Sequence, residues 1–178
     1  ESLVAMMDKD SSIGMSGSKL IYADGRLQEA GGIVWKDASA WNYGNRGDAE
    51  GPEYNYVKEV DYISGAAILI RTKLWKEIGG FDERFAPAYY EDTDLAFEVR
   101  KHGYKVVYNP ASVVVHFEGI SNGTDTSSGQ KSYQVVNQQK FYEKWKDVLE
   151  KENFENGENV FLAKDRSRNK KQILVVDH

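Results

Sequence analysis

No cysteine occurs among the 178 residues, so the chain carries neither disulfides nor thiolate metal sites. That absence favours a reducing compartment such as the cytoplasm, the inner membrane surface included. Basic residues are also too few to form a nucleic-acid face. Lys and Arg total 23 against 28 Asp and Glu, a net charge of −5, whereas phosphate binding needs a basic patch. No apolar run approaches the roughly 20 residues of a membrane-spanning helix. No internal repeat or heptad pattern is visible. What remains suits one domain or slightly more, with 40% apolar residues to build its core.

The most informative stretch begins at Tyr90, where Glu91, Asp92 and Asp94 stand at the mouth of a predicted helix. Apolar Leu95, Phe97 and Val99 mark its inner face, Arg100, Lys101 and His102 its last turn, and Gly103 its end. Exposed amides and the helix dipole favour negative charge there, so a carboxylate in this setting is expected to stay ionised. Such a group serves equally as a base or as an ordinary helix cap. His102 suits a cation at the helix C-terminus.

Around this helix the pattern alternates between strand and helix. Leu3, Val4, Met6 and Met7 read as one face of a helix end, and residues 13–22 as a strand. Asp24-Gly25 marks a turn, so residues 27–35 are expected to return as a hairpin partner, interrupted by a bulge or close contact at Gly31-Gly32. Residues 36–58 have no period, and hold Trp41, Tyr43, Tyr54 and Tyr56 in a loop suited to sugar stacking or to anchoring. Residues 60–70 read as a strand, and 72–78 as a short helix capped by Thr72 and ended by Gly79. Two β-branched runs, 105–108 and 112–117, flank Asn109-Pro110. A flexible Gly-, Ser- and Thr-rich lid is expected over 118–131, a long helix over 133–149 and a polar linker over 150–171. Residues 173–176 read as a buried strand with no local partner, the mark of a piece cut from a longer polypeptide.

Several segments, taken together, resemble the C-terminal half of family 2 glycosyltransferases, inverting enzymes with the GT-A fold. They are Ser64-Gly65-Ala66-Ala67-Ile68-Leu69-Ile70-Arg71, Gly79-Gly80-Phe81-Asp82-Glu83-Arg84-Phe85, Tyr90-Glu91-Asp92-Thr93-Asp94-Leu95 and Val113-Val114-Val115-His116. The stretch from Tyr22 to Gly32 resembles the junction between the two halves of that domain. The resemblance implies an α/β fold, a partial GT-A domain whose mixed sheet has flanking helices and whose N-terminal Rossmann-like half is largely missing. It divides the chain into residues 1–149 as the acceptor-side half, 150–171 as linker, and 172–178 as the start of a following domain.

The same resemblance implies transfer of a sugar from a nucleotide-sugar donor to a glycan or lipid-linked acceptor, with a divalent cation, Mn or Mg, in the complete enzyme. Asp92 takes the place of the catalytic base and Glu91 precedes it as an orienting acid. Gly65 and Ala66 would let substrate approach closely. Asp94 is a substrate-side candidate, although binding first-turn amides suits it better. His116 is a candidate metal ligand. The donor half's acidic D-x-D motif lacks a counterpart on a buried strand, since Asp8-Lys9-Asp10 follows a helical pattern. The isolated chain is therefore expected to be inactive, and an exposed sheet edge to favour self-association. Two other readings compete: a carbohydrate-binding module built on the aromatic loop, and a metal-dependent hydrolase or phosphotransferase using Glu91, Asp92 and Asp94 as ligands.

Overall fold

The structure, a computed structural model, describes residues 1–117 and 132–171. The expected lid at 118–131 and strand at 173–176 lie outside the described residues. A mixed sheet organises the rest, as the α/β reading requires. Its centre is β1 (Ile13–Ile21), parallel to β7 (Lys105–Val115). The other edge of β1 pairs antiparallel with β2 (Leu27–Glu29) and β6 (Ile68–Ile70), and β5 (Lys58–Glu59) pairs antiparallel with β7. A separate two-stranded sheet joins β3 (Gly32–Val34) to β4 (Ala40–Asn42).

Alternation along β7 sends side chains to two layers. Val107 packs with Met7 and Ile13 under α1 (Ser2–Lys9), while Val106 and Tyr108 join the main core. That core is closed by α2 (Thr72–Ile78), α3 (Glu91–Lys101) and α4 (Ser132–Glu152). Phe141 of α4 lies 4.9 Å from the Phe97 ring and 5.3 Å from that of Tyr90, with edge and tilted contacts that suit ring quadrupoles.

Several local expectations change. The hairpin return divides into β2 and β3, because Gly31 adopts φ +79° and turns the chain out of the first sheet. At Gly32 a Cβ would lie 1.9 Å from the Tyr62 ring, so the pair of glycines marks a close contact. The strand expected over 60–70 is confined to Ile68–Ile70, since Ser64 caps a 3-10 turn over Gly65–Ala67. The runs beside Pro110 form one strand, with Ser18 opposite Asn109 and Lys19 opposite Val113. A bulge therefore holds the residues that cannot enter the ladder. Thr72 is the first residue of α2 rather than its cap, which is Arg71, whereas Gly79 ends the helix at φ +92° as expected.

Residues 150–171, whose polarity reads as linker, are docked on the domain. They carry α5 (Val160–Ala163), and Ala163, Phe154 and Val160 pack on Ile33 and Trp35. Asn153 Nδ2 donates to Val34 O at 2.6 Å, and Arg166 forms an ion pair with buried Asp61 at 2.5 Å. The polar residues that suggest a solvated chain are the ones that make these contacts. The aromatic loop is likewise anchored: Trp35 and Trp41 meet at 4.8 Å, and Tyr43 and Tyr54 at 5.3 Å. Buried Lys58 sits 4.4 Å from the Tyr43 ring centre, and burial, with Lys164 nearby, lowers its pKa to about 7.

Asn137 of α4 holds the connector that leads into α3. Its side chain is fully buried, and Nδ2 faces the carbonyls of Phe85 at 2.7 Å, Ala88 at 3.0 Å and Tyr89 at 2.9 Å. Removing the amide strands these acceptors away from water. We expect Asn137→Ala to lower the unfolding free energy by roughly 1–3 kcal/mol in urea titration. A midpoint equal to that of the parent protein would show that the connector is held by packing alone.

Candidate active site

The acidic helix begins where the sequence places it, at Glu91, after Tyr90 in a left-handed conformation with φ +76°. A bulky residue adopts that region only when its surroundings enforce it. Here the Tyr90 hydroxyl donates to Ala38 O at 2.9 Å, and its ring packs on Phe141. The kink aims the first turn of α3 at the 3-10 turn over Gly65–Ala67.

Asp92 is half-buried in that junction. Its Oδ2 accepts from Gly65 N at 2.8 Å, and its Oδ1 from Thr93 N at 2.6 Å and from Thr93 Oγ1 at 3.2 Å. Burial raises its pKa above the usual aspartate value, and the amides of Gly65 and Thr93 oppose that rise. The expectation of a simple dipole-stabilised anion therefore changes in sign: desolvation outweighs the helix end. An aspartate shifted upward is a stronger proton acceptor than a fully solvated one.

Glu91 is partly buried beside it, and burial followed by the Asp92 charge raises its pKa. Its Oε2 is buried without a hydrogen-bond partner among the described residues. Gly65 and Ala66, on the turn that meets Asp92, are exposed. A Cβ at Gly65 would stand 3.5 Å from Asp92 Cβ, in ordinary contact.

Asp94 behaves differently from both expectations for it. It is 2% exposed and turned to α4, with Oδ1 accepting from Trp145 Nε1 at 2.7 Å and Oδ2 from Lys144 Nζ at 2.8 Å. Its hydrogen bonds thus go to α4 rather than to the first-turn amides. Successive helical residues are rotated by about 100°, so positions 92 and 94 face roughly opposite ways. Burial still pushes the Asp94 pKa upward against the pull of Lys144 and Trp145. Glu91, Asp92 and Asp94 thus do not converge, and no group of three or more His, Asp or Glu side chains among the described residues is placed to hold a metal ion. That arrangement removes the ligand set on which the hydrolase reading rests.

His116 lies just beyond β7, with Nδ1 3.1 Å from Gln28 Oε1 and its amide donating to Ile21 O at 2.9 Å. His102 caps α3, its Nδ1 2.8 Å from Glu98 O. Asp10 caps α1 and pairs with Lys105 at 2.9 Å, so the Asp8-Lys9-Asp10 sequence ties a helix end to β7.

Glu29 is a site residue that sequence reasoning missed. It is fully buried on β2, its Oε1 accepts from Ser64 N at 3.0 Å, and its Oε2 is buried without a partner among the described residues. Burial raises its pKa to about 8, and the Asp92 charge adds to the shift. Its only local signal is its place in the motif between Tyr22 and Gly32. A cavity of about 660 Å³ lies elsewhere, at the C-terminal end of α3 among Phe97, Arg100, Lys101 and Trp145. Its cations are largely paired with neighbouring carboxylates, whereas the perturbed acids gather at the N-terminal end, which is the stronger candidate.

Comparison with known proteins supplies the class. Residues 24–140 match the glycosyltransferase like family 2, and the chain belongs to that family. An N-acetylglucosaminyl-diphospho-decaprenol L-rhamnosyltransferase of Mycobacterium tuberculosis is 38% identical over 71 residues, 40% of this chain and 23% of that protein. The O-antigen biosynthesis protein RfbC of Myxococcus xanthus is 26% identical over 123 residues, covering 64% of this chain and 9% of its own length. The chain thus spans less than a quarter of either relative. A crystal structure of GalNAc-T7 with UDP, GalNAc and Mn2+ aligns over 64% of this chain and 24% of its own, at 17% identity and a TM-score of 0.47. No helix among the described residues is long and apolar enough to cross a membrane.

The Asp94 contacts make a separable prediction. Lys144 also meets Asp82 at 3.1 Å and Glu98 at 3.2 Å, so it compensates three carboxylates. Lys144→Met should destabilise the fold by about 3 kcal/mol in chemical denaturation. Adding Asp94→Asn, which keeps an acceptor for Trp145, should recover part of that loss; strictly additive costs would mean the pair is not coupled.

Proposed function

We propose that this chain is the base-bearing, acceptor-side part of an inverting GT-A glycosyltransferase domain, moving a sugar from a nucleotide-sugar donor to a hydroxyl of a glycan or lipid-linked acceptor. The observation that carries the proposal is Asp92: a half-buried carboxylate of raised pKa, gripped by Gly65 N and Thr93 N beside an open, small-residue surface. Family membership and relatives named as sugar transferases support it.

In this reading an acceptor hydroxyl rests against Asp92. Its oxygen attacks the anomeric carbon as its proton passes to the carboxylate, and the bond to the nucleoside diphosphate breaks on the opposite face. The leaving group takes the electron pair, and the configuration inverts. A hydroxyl is a poor nucleophile while it keeps its proton, so the base is essential to the step. Glu91 orients the acceptor, and positive charge developing on the sugar ring is stabilised by the adjacent carboxylates. Asp94 has no substrate role here; it locks α3 to α4. A divalent cation, where the reaction uses one, would neutralise the leaving diphosphate, with His116 as a candidate ligand. Residues 1–149 form the half-domain, and 150–171 a strap docked on it.

Asp92→Asn in a full-length parent should reduce turnover by at least 100-fold with an unchanged thermal midpoint, as loss of a general base does. Near-normal turnover would remove Asp92 from the mechanism. The chain by itself should bind uridine, guanosine and thymidine diphosphate sugars more weakly than micromolar in calorimetry with Mn²⁺. Micromolar binding would mean that the donor site is already present in it.

A further inference from the structure

We propose that Glu29 is a positioning residue for Asp92: the two carboxyl groups hold the consecutive amides of Ser64 and Gly65, one from β2 and one from α3, and set where the base stands. The inference rests on the reading of Asp92 as the base. Its geometry is independent of that reading.

Glu29 Oε1 holds Ser64 N at 3.0 Å, and Asp92 Oδ2 holds Gly65 N at 2.8 Å. One amide is therefore fixed to the sheet through β2, and the next to the helix through α3. The turn between them is otherwise weakly secured: Gly65 and Ala66 are exposed, and Ser64 Oγ accepts from Ala66 N only at 3.4 Å. Adjacent amides of one turn move together, so a displacement of Ser64 carries Gly65 with it and changes the orientation of the Asp92 carboxylate.

A buried glutamate suits this role only while it is protonated, since a second anion beside Asp92 would be costly. The groups that bear on it are Asp92 of α3, Ser64 N of the turn, the Tyr62 hydroxyl, and the Tyr108 hydroxyl of β7. None is cationic. Burial first, and then the Asp92 charge, raise the pKa of Glu29 to about 8. Asp92 loses its proton at lower pH, against a neutral Glu29, so the repulsion falls on the later ionisation. Above about pH 8 the second charge appears and the clasp is expected to loosen.

Carboxyl carbon NMR on this chain, with amide exchange, tests the proposal without any assay of transfer. The Glu29 signal should titrate near pH 8 rather than near 4.5, and the Asp92 signal should show a second inflection at the same pH. Glu29→Gln, which keeps an acceptor for Ser64 and cannot ionise, should abolish that inflection while amide protection of Ser64 and Gly65 persists. Glu29→Ala should lose protection at both amides by at least tenfold, with β1 unchanged. If Glu29→Ala fails to fold, the Glu29→Gln comparison still decides. A Glu29 midpoint near 4.5, or an Asp92 curve identical in wild type and Glu29→Gln, overturns the proposal.

In a full-length parent, Glu29→Gln should lose the fall in kcat/KM near pH 8 that the wild type shows. An alkaline limb identical in Glu29→Gln and wild type also overturns the proposal. Full activity of Asp92→Asn alongside coupled titrations would sink the catalytic role of Asp92 and leave the clasp standing.

Discussion

The rotation of about 100° per residue along an α-helix governs this site, because it sends two aspartates of one turn in opposite directions. Asp94 enters the α3–α4 interface and is held by Lys144 and Trp145. Asp92 emerges on the other side and meets the Gly65 amide. The buried ion pair fixes the roll of α3. With that roll fixed, Asp92 has only one place to stand.

Packing beneath the helix serves the same end. Phe97 and Phe141 interlock α3 with α4, and Asn137 gathers the carbonyls of the connector that precedes it. Tyr90 is held in a left-handed conformation between them. A kink enforced by a buried network costs conformational freedom that a loop would keep, yet it delivers the carboxylate at a defined angle. Catalytic side chains perform best when rigid elements position them to within a fraction of an ångström.

The acids of the site differ in their surroundings rather than in their chemistry. Asp92 has three donors and partial exposure, Glu91 has burial and a charged neighbour, and Glu29 has full burial with one donor. These differences separate their proton affinities, and separated affinities allow neighbouring carboxyl groups to take different roles. A carboxylate beside a buried glutamate whose pKa is raised to about 8 keeps a neutral neighbour at neutral pH. Three equally ionised ones would repel each other and loosen the turn.

Much of this is legible along the chain wherever the determining interactions are local. Helix α3, its first-turn acids and its end are readable because capping and the 3.6-residue period act within a few residues. The Ser64–Arg71 and Tyr90–Leu95 motifs carry the family in the same way. The division of labour between Asp92 and Asp94 is not readable, because it depends on Lys144 and Trp145, some 50 positions away. Glu29 looks like an ordinary residue of a hairpin, and the docked 150–171 segment looks like solvated chain. Only tertiary structure removes water from a particular side chain, and the loss of water changes what these residues can do.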